Sequence, residues 1–293
     1  MNYEKTSSLA QRIMSEHSPQ TLVVTKESED SWELHTIKDI HSPLLKRNVD
    51  IDVFLPPDYH KEHGPFPLLL LNDGQDSEGI KLKSTLDKLY KAGKLRKFVV
   101  VGVYCGDRMQ EYGVASKPDY MKRGARAKLY TKFILSDLLP YLQFRYAIEP
   151  FGSENVIAGY SLGGLSALDI AWNNPQYFRR AGAFSGSFWW RKRDLQKGYT
   201  DKDRIMHAEI RDGKFKPGMK FWFQAGTLDE RADRNNNGII DAIDDTLDVV
   251  SELIKKGYKP YYDVVYHEMK DGEHNQKTWS EAMPVFLEWA FGK

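Results

Sequence analysis

From Pro67 onward, short runs that are apolar at every position alternate with longer stretches in which apolar residues recur every three or four positions. Runs of the first kind are strands buried on both faces, and stretches of the second kind are amphipathic helices. L-L-L-L at 68–71 predicts a strand, 80–90 a helix, and F-V-V-V-G-V at 98–103 the next strand. A polar loop then leads to a helix over about 126–142, where Tyr130, Phe133, Ile134, Leu138 and Tyr141 share one side. Further strands are predicted around 156–157 and at 180–184, 221–225 and 261–266, with helices over 242–256 and 279–291. This alternation builds a mostly parallel sheet with helices on both faces, an α/β fold.

The first part of the chain has a different period. Residues 32–37 and 49–55 alternate apolar and polar side chains and end at Pro56-Pro57, the mark of antiparallel strands at a sheet's entry edge. Residues 1–30 are polar, with a helical pattern around 9–14 followed by T-L-V-V-T, and are expected to form a mobile or loosely docked extension. With no repeats, low-complexity tracts or linkers, residues 31–293 read as one domain.

Candidate chemistry is concentrated in N-V-I-A-G-Y-S-L-G-G-L-S-A-L-D-I-A-W, residues 155–172. A β-branched run enters G-Y-S-L-G and a helical run leaves it, the strand, turn and helix context of a nucleophile elbow with Ser161 at its tip. A turn that tight leaves no room for side chains two positions either side of the serine, and Gly159 and Gly163 stand there. The following helix offers unpaired N–H groups and a positive dipole end to an oxyanion, with Leu162 N–H the first donor.

A serine hydroxyl needs a base, and the base an acid to orient it. In α/β-hydrolases these follow the serine in the order acid, histidine. F-W-F-Q-A-G-T-L-D-E ends a predicted strand in a loop bearing Asp229 and Glu230. The carboxyl ends of strands are where open α/β sheets place their sites, so Asp229 is the expected acid, with Glu230 and Asp233 as alternatives. Of the histidines after Ser161, namely His207, His267 and His274, His267 lies at the last strand as a packing residue. His274 sits in the loop K-D-G-E-H-N beyond it and is the expected base. A second oxyanion donor belongs to the loop after the first central strand, L-N-D-G-Q-D, where Gly74 permits close approach and Gln75 N–H is the candidate.

Asp233, Asn235, Asn237, Gly238, Asp241 and Asp244 reproduce the spacing of an EF-hand-like loop, with Ile239 supplying a carbonyl. The two readings are a structural Ca²⁺ pinning the loop that carries Asp229, and a metal-free Asn-Gly turn with solvated acids. Trp189 and Trp190, after S-G-S, could wall a substrate pocket or pack in the core. The stretch 107–112 could border that pocket, and internal Arg–Glu pairing is its simpler role.

Composition narrows the partners. Lys plus Arg number 42 against 41 acidic residues, so no overall field recruits nucleic acid or an anionic membrane, and a small-molecule ester fits better. Cys105 is the only cysteine, which excludes an internal disulfide and leans towards the cytoplasm. No apolar run is long enough for a signal peptide or a membrane span.

Taken together, V-D-I-D-V-F-L-P-P-D-Y, L-L-L-L-N-D-G-Q-D, G-Y-S-L-G-G, F-S-G-S-F-W-W, A-G-T-L-D-E and D-G-E-H-N with Trp279 downstream resemble the esterase D family of α/β-hydrolases. That family includes siderophore esterases, feruloyl esterases, S-formylglutathione hydrolase and mycolyltransferases, and the resemblance covers about residues 35–291. It implies an α/β-hydrolase fold, a Ser161, Asp229 and His274 triad, Gln75 and Leu162 amides as the oxyanion hole, and no organic cofactor. S-G-S-F-W-W looks most like the siderophore-esterase branch. The expectation is a serine carboxylic-ester hydrolase with a siderophore-type or a feruloyl- or acetyl-type substrate. The alternatives are acyl transfer on the same scaffold and a non-catalytic binding protein.

Overall fold

The computed structural model describes residues 21–61, 64–149 and 151–293. The helical pattern around 9–14 lies outside the described residues. Among the described residues nine strands form one sheet in the order β1-β2-β3-β5-β4-β6-β7-β8-β9. The first three, β1 (Leu22–Thr25), β2 (Glu33–Ser42) and β3 (Arg47–Leu55), join antiparallel to each other and to β5 (Val99–Val103). From β5 through β4 (Leu68–Asn72), β6 (Gly152–Tyr160), β7 (Phe178–Phe184), β8 (Lys220–Leu228) and β9 (Val264–Glu273) every pairing is parallel. This is the α/β-hydrolase architecture, a mostly parallel sheet between helices.

Burial on both faces accounts for the continuous apolar runs. Along β4, Leu68 and Leu70 enter one core and Leu69 and Leu71 the other. Along β8, Phe221 and Phe223 separate in the same way from Trp222. One face is covered by α1 (Leu82–Lys91) and α8 (Gln276–Phe291). The other carries α3 (Ala127–Phe133), α4 (Leu139–Arg145), α5 (Leu162–Asn173), α6 (Ile205–Asp212) and α7 (Asp241–Lys256). A shorter helix, α2 (Arg108–Glu111), follows β5.

Three elements depart from the sequence pattern. Leu22–Thr25, within the stretch read as a polar extension, pairs with β2 as the outermost strand, with all four residues exposed. The helix expected over 126–142 is divided by a π-helical segment, Ile134–Leu138. Pro140 follows on the wider π turn, where a missing N–H interrupts the regular i→i−4 ladder. The last strand begins at Val264 rather than at Tyr261, which is 92% exposed in a turn at φ 63°. The Y-Y pair carries strand propensity, but Pro260 and the turn closed by Asp263 on the Lys259 N–H hold it outside the ladder.

The sheet's order reverses at β4, which has β5 on one side and β6 on the other. The loops leaving the carboxyl ends of β4 and β6 therefore diverge, and the cleft between them is where this architecture places a site. Helix α8 fixes the far half of the sheet, because Phe286 packs edge-on against Phe184 and Trp222 at centroid distances of 5.1 and 5.2 Å. Phe286→Ala should lower the free energy of unfolding by about 3–5 kcal/mol in urea titrations. A loss below about 1 kcal/mol would show that α8 does not anchor these strands.

Candidate active site

Ser161 stands between β6 and α5 at φ 54° and ψ −120°, a backbone conformation that L-residues avoid. The surroundings hold it there. Its N–H donates to the Phe184 carbonyl at 2.9 Å, and its carbonyl accepts from Ser187 N–H at 3.1 Å. A Cβ on Gly159 would lie 2.5 Å from the Gly163 backbone, and one on Gly163 would lie 2.7 Å from Asp73 Oδ2. Both positions are crowded, Gly159 by the backbone of α5 and Gly163 by the Asp73 carboxylate. Ser161 Oγ is 3.3 Å from Ser187 Oγ.

A cavity of about 460 Å³ opens over this turn, and Ser161, Leu162, Asp229 and His274 all line it. Residues more than a hundred positions apart are brought together because β6 and β8 end at the same edge of the sheet, with β9 beside them. Asp229 is buried, and its carboxylate is fixed from two sides. Oδ2 accepts from Gly226 N–H at 3.1 Å, and Oδ1 accepts from the Ser185 hydroxyl at 3.0 Å. Ser185 Oγ in turn accepts from Trp279 Nε1 at 3.0 Å. His274 Nδ1 lies 4.0 Å from Asp229 Oδ1, within ion-pair reach and beyond a hydrogen bond. The edge of the Trp279 ring system supports the imidazole, with ring centroids 5.4 Å apart at 79°.

Burial pushes the Asp229 carboxyl above its ordinary value, opposed by the Gly226 N–H, the Ser185 hydroxyl and the charge of His274. Burial draws His274 below the ordinary imidazole value, Asp229 opposes that shift, and the positive charge of Arg108 adds to it. The imidazole is therefore neutral at pH 7, the form that can accept a proton. The remaining histidines after Ser161 are placed elsewhere. His267 stacks on Trp222 at 6.0 Å, and His207 is buried with Nε2 2.9 Å from the Asp245 carbonyl. Burial pushes the Cys105 thiol up to about 12, so it offers no rival nucleophile.

The two tryptophans divide between the two readings open to them, and Gln75 lies to one side of the cavity. Trp189 lines the cavity, with Arg123 lying 4.8 Å over its ring. Trp190 does not: it is 0% exposed and belongs to the core. Gln75 occupies the short 3-10 turn after β4 and lines a neighbouring cavity with Gly74 and Tyr104. Its side chain bridges Asp73 Oδ1 and the Cys105 N–H at 3.0 and 3.1 Å.

The EF-hand-like loop closes on itself. Asp233 accepts from the N–H groups of Asn237 and Gly238, Asn235 also accepts from Asn237 N–H, and Asn237 accepts from Ile239 N–H. The Asp241 carboxylate is held by Arg234 at 3.0 Å, and Asp244 by the Asn235 amide at 2.9 Å. Among the described residues no group of three or more His, Cys, Asp or Glu side chains could hold a metal ion. A bound Ca²⁺ is therefore unsupported, and the loop's side-chain oxygens are engaged by its own turns.

Sequence reasoning missed an ion pair at the elbow. Arg108 Nε and Nη2 grip Asp73 Oδ1 and Oδ2 at 2.8 and 3.0 Å, and Nη2 also reaches the Tyr160 carbonyl at 3.5 Å. Glu111, the expected partner of Arg108, instead takes both Nε and Nη2 of Arg47. Asp73 is buried in the left-handed region at φ 62°, and its N–H donates to the Tyr112 hydroxyl at 3.0 Å. The one signal in the sequence was D-G after a strand, which also marks an ordinary turn. Ser185 was visible only as part of S-G-S.

A family model described as Putative esterase matches residues 42–290. An uncharacterized protein of Bacillus subtilis (strain 168), YbbA, is 23% identical over 82% of this chain and 92% of its own length. Among solved structures, a ferulic acid esterase superposes with TM-score 0.65 at 15% identity, covering 93% of this chain and 97% of that one. The enterobactin esterase of Shigella flexneri, in the presence of enterobactin, gives 0.66 at 19%, covering 94% and 59%.

The electrostatics of the cavity can be read directly. In NMR titrations His274 should lose its proton below the ordinary value of about 6.5. Arg108→Gln should move that midpoint upward, by removing a cation and unmasking Asp73. A midpoint at or above 6.5 in the unaltered protein, or no upward shift in the variant, contradicts the description.

Proposed function

The chain belongs to the Putative esterase family, and we propose that this carboxylic ester hydrolase works through an acyl-enzyme on Ser161. The observation that carries the reading is the convergence of Ser161, Asp229 and His274 on one cavity, with the serine held in a strained turn at a helix N-terminus. In this scheme Ser161 Oγ attacks the ester carbonyl while His274 takes the hydroxyl proton. The negative charge that develops on the carbonyl oxygen is met by the N–H of Leu162 and the positive end of α5. Gln75 N–H is the proposed second donor, supported by the position of Asp73, two residues before it, whose Oδ2 lies where a Cβ on Gly163 would meet it at 2.7 Å. Each such donor lowers the barrier by about 2.7–4 kcal/mol.

The tetrahedral adduct collapses by breaking the bond to the alcohol oxygen, which leaves with the proton held by His274. Water, deprotonated by the same imidazole, then attacks the acyl carbon, and the acid departs as the Ser161 hydroxyl is restored. Asp229 acts through His274, fixing its tautomer and balancing its charge during each half-reaction. At 4.0 Å the pair must shorten as the imidazole gains its proton, a tightening expected once substrate fills the site.

The substrate class proposed is an ester with a feruloyl-, catechol- or acetyl-type acyl group. Trp189 supports this by giving the cavity an aromatic wall, and the volume of about 460 Å³ is that of a small-molecule site.

Ser161→Ala should abolish turnover of 4-nitrophenyl acetate while leaving the melting temperature within about 2 °C, because the site is strained and only half-buried. Retained turnover would remove Ser161 from the mechanism. The acid limb of kcat/KM should fall below pH 6.5 or so, because burial depresses His274 and the base is active only when unprotonated. An acid limb above 7 would assign the base elsewhere.

A further inference from the structure

Ser161 has a neighbour that the triad does not use. The turn after β7 brings Ser187 into the wall of the cavity, and its Oγ lies 3.3 Å from Ser161 Oγ. Among the described residues that contact is the only hydrogen bond of either hydroxyl.

The turn holds Ser187 from both sides. Its N–H donates to the Ser161 carbonyl at 3.1 Å, its carbonyl accepts from Trp190 N–H at 3.3 Å, and only 3% of the residue is exposed. Two positions earlier, the Ser185 hydroxyl is bonded to Asp229. One position later, Phe188 is buried edge-on against Phe223 with ring centroids 5.7 Å apart. The Ser187 hydroxyl is thus presented by a pinned turn rather than by a free loop.

The contact between the two hydroxyls could run in either direction, and the proton transfer proposed above decides it. A hydroxyl has one proton, and that of Ser161 goes to His274. Ser187 is then the donor and Ser161 Oγ the acceptor. At 3.3 Å the bond is long for two hydroxyls and weak while the acceptor is neutral. Bonds to oxygens that carry negative charge are shorter and stronger, so this one tightens as charge gathers on Oγ. A contact that is weak in the ground state and strong in the transition state is the kind that accelerates a reaction.

The two half-reactions load Oγ differently. In acylation it spends a lone pair on the new bond while its proton leaves for His274, and it ends as a neutral ester oxygen. In deacylation water adds to the acyl carbon and gives a proton to His274. The bond from that carbon to Oγ then breaks, Oγ keeps the electron pair, and the proton on His274 restores the hydroxyl. Oγ is the leaving group in this second half-reaction alone, and Ser187 keeps its own proton throughout. We infer that Ser187 is a further catalytic residue, a donor to the departing Ser161 Oγ that speeds release of the acyl group. The inference rests on the acyl-enzyme reading and adds to it a residue that acts chiefly in one half-reaction.

Hydrolysis of 4-nitrophenyl acetate separates the two steps. Its kcat/KM reads acylation, and the decay of the acetyl-enzyme, followed by mass spectrometry of rapid-quench samples, reads deacylation. Ser187→Ala removes one oxygen and keeps the backbone bonds of the turn. It should slow the decay by about tenfold or more and lower kcat/KM by about threefold at most. A structural role gives another pattern, because His274, Asp229 and the oxyanion donors serve both half-reactions and a distorted site slows both alike.

Equal losses in the two steps, no loss in either, or a loss confined to kcat/KM overturns the assignment. Accumulation of acetylated Ser161 in the variant alone supports it. If ester is consumed and neither protein ever carries an acetyl group on Ser161, the result is of a different kind. It removes the acyl-enzyme reading, and the role of Ser187 with it.

Discussion

One strained residue sets the terms for the rest of the site. A backbone at φ 54° and ψ −120° is held only if its neighbours leave it no alternative, and each neighbour of Ser161 can be seen doing so. Strand β7 receives its N–H, the 185–187 turn binds its carbonyl, and two glycines admit the backbone of β6 and α5 to contact distance. Conformational strain of this kind costs on the order of 1–3 kcal/mol and survives where the surrounding structure over-determines it. The large two-sided core of the sheet supplies that rigidity, so the packing and the chemistry are two aspects of one arrangement.

The ion pair of Asp73 with Arg108 shows how the site tolerates a carboxylate near a place where negative charge must form. Asp73 Oδ2 lies against Gly163, one residue after the proposed oxyanion donor Leu162. An unpaired carboxylate there would oppose any developing oxyanion. The bidentate guanidinium cancels it, and the same cation helps keep His274 neutral. A single arginine thus corrects the field at both ends of the proposed proton transfer.

What the sequence disclosed follows from how local each signal is. Burial on both faces writes itself into β4, β5 and β8 as unbroken apolar runs, and the elbow needs small residues at fixed spacing around Ser161. Those features were legible. Partnerships set by tertiary geometry were not. Arg108 reaches Asp73 across 35 positions rather than the nearer Glu111, and Trp190 turns inward while Trp189, with the same residue type and the next position, faces the cavity. The Asp233 loop stayed open to two readings for a related reason. Its spacing matches a cation-binding turn, but Arg234 and the loop's own amides engage the carboxylates.

The acid is anchored by the last helix as much as by its own strand. Trp279 on α8 holds Ser185, and Ser185 holds Asp229, so the orientation of a carboxylate at the end of β8 is relayed through a side chain from the opposite layer. A change confined to Trp279 would therefore slacken the acid without touching the strand that bears it.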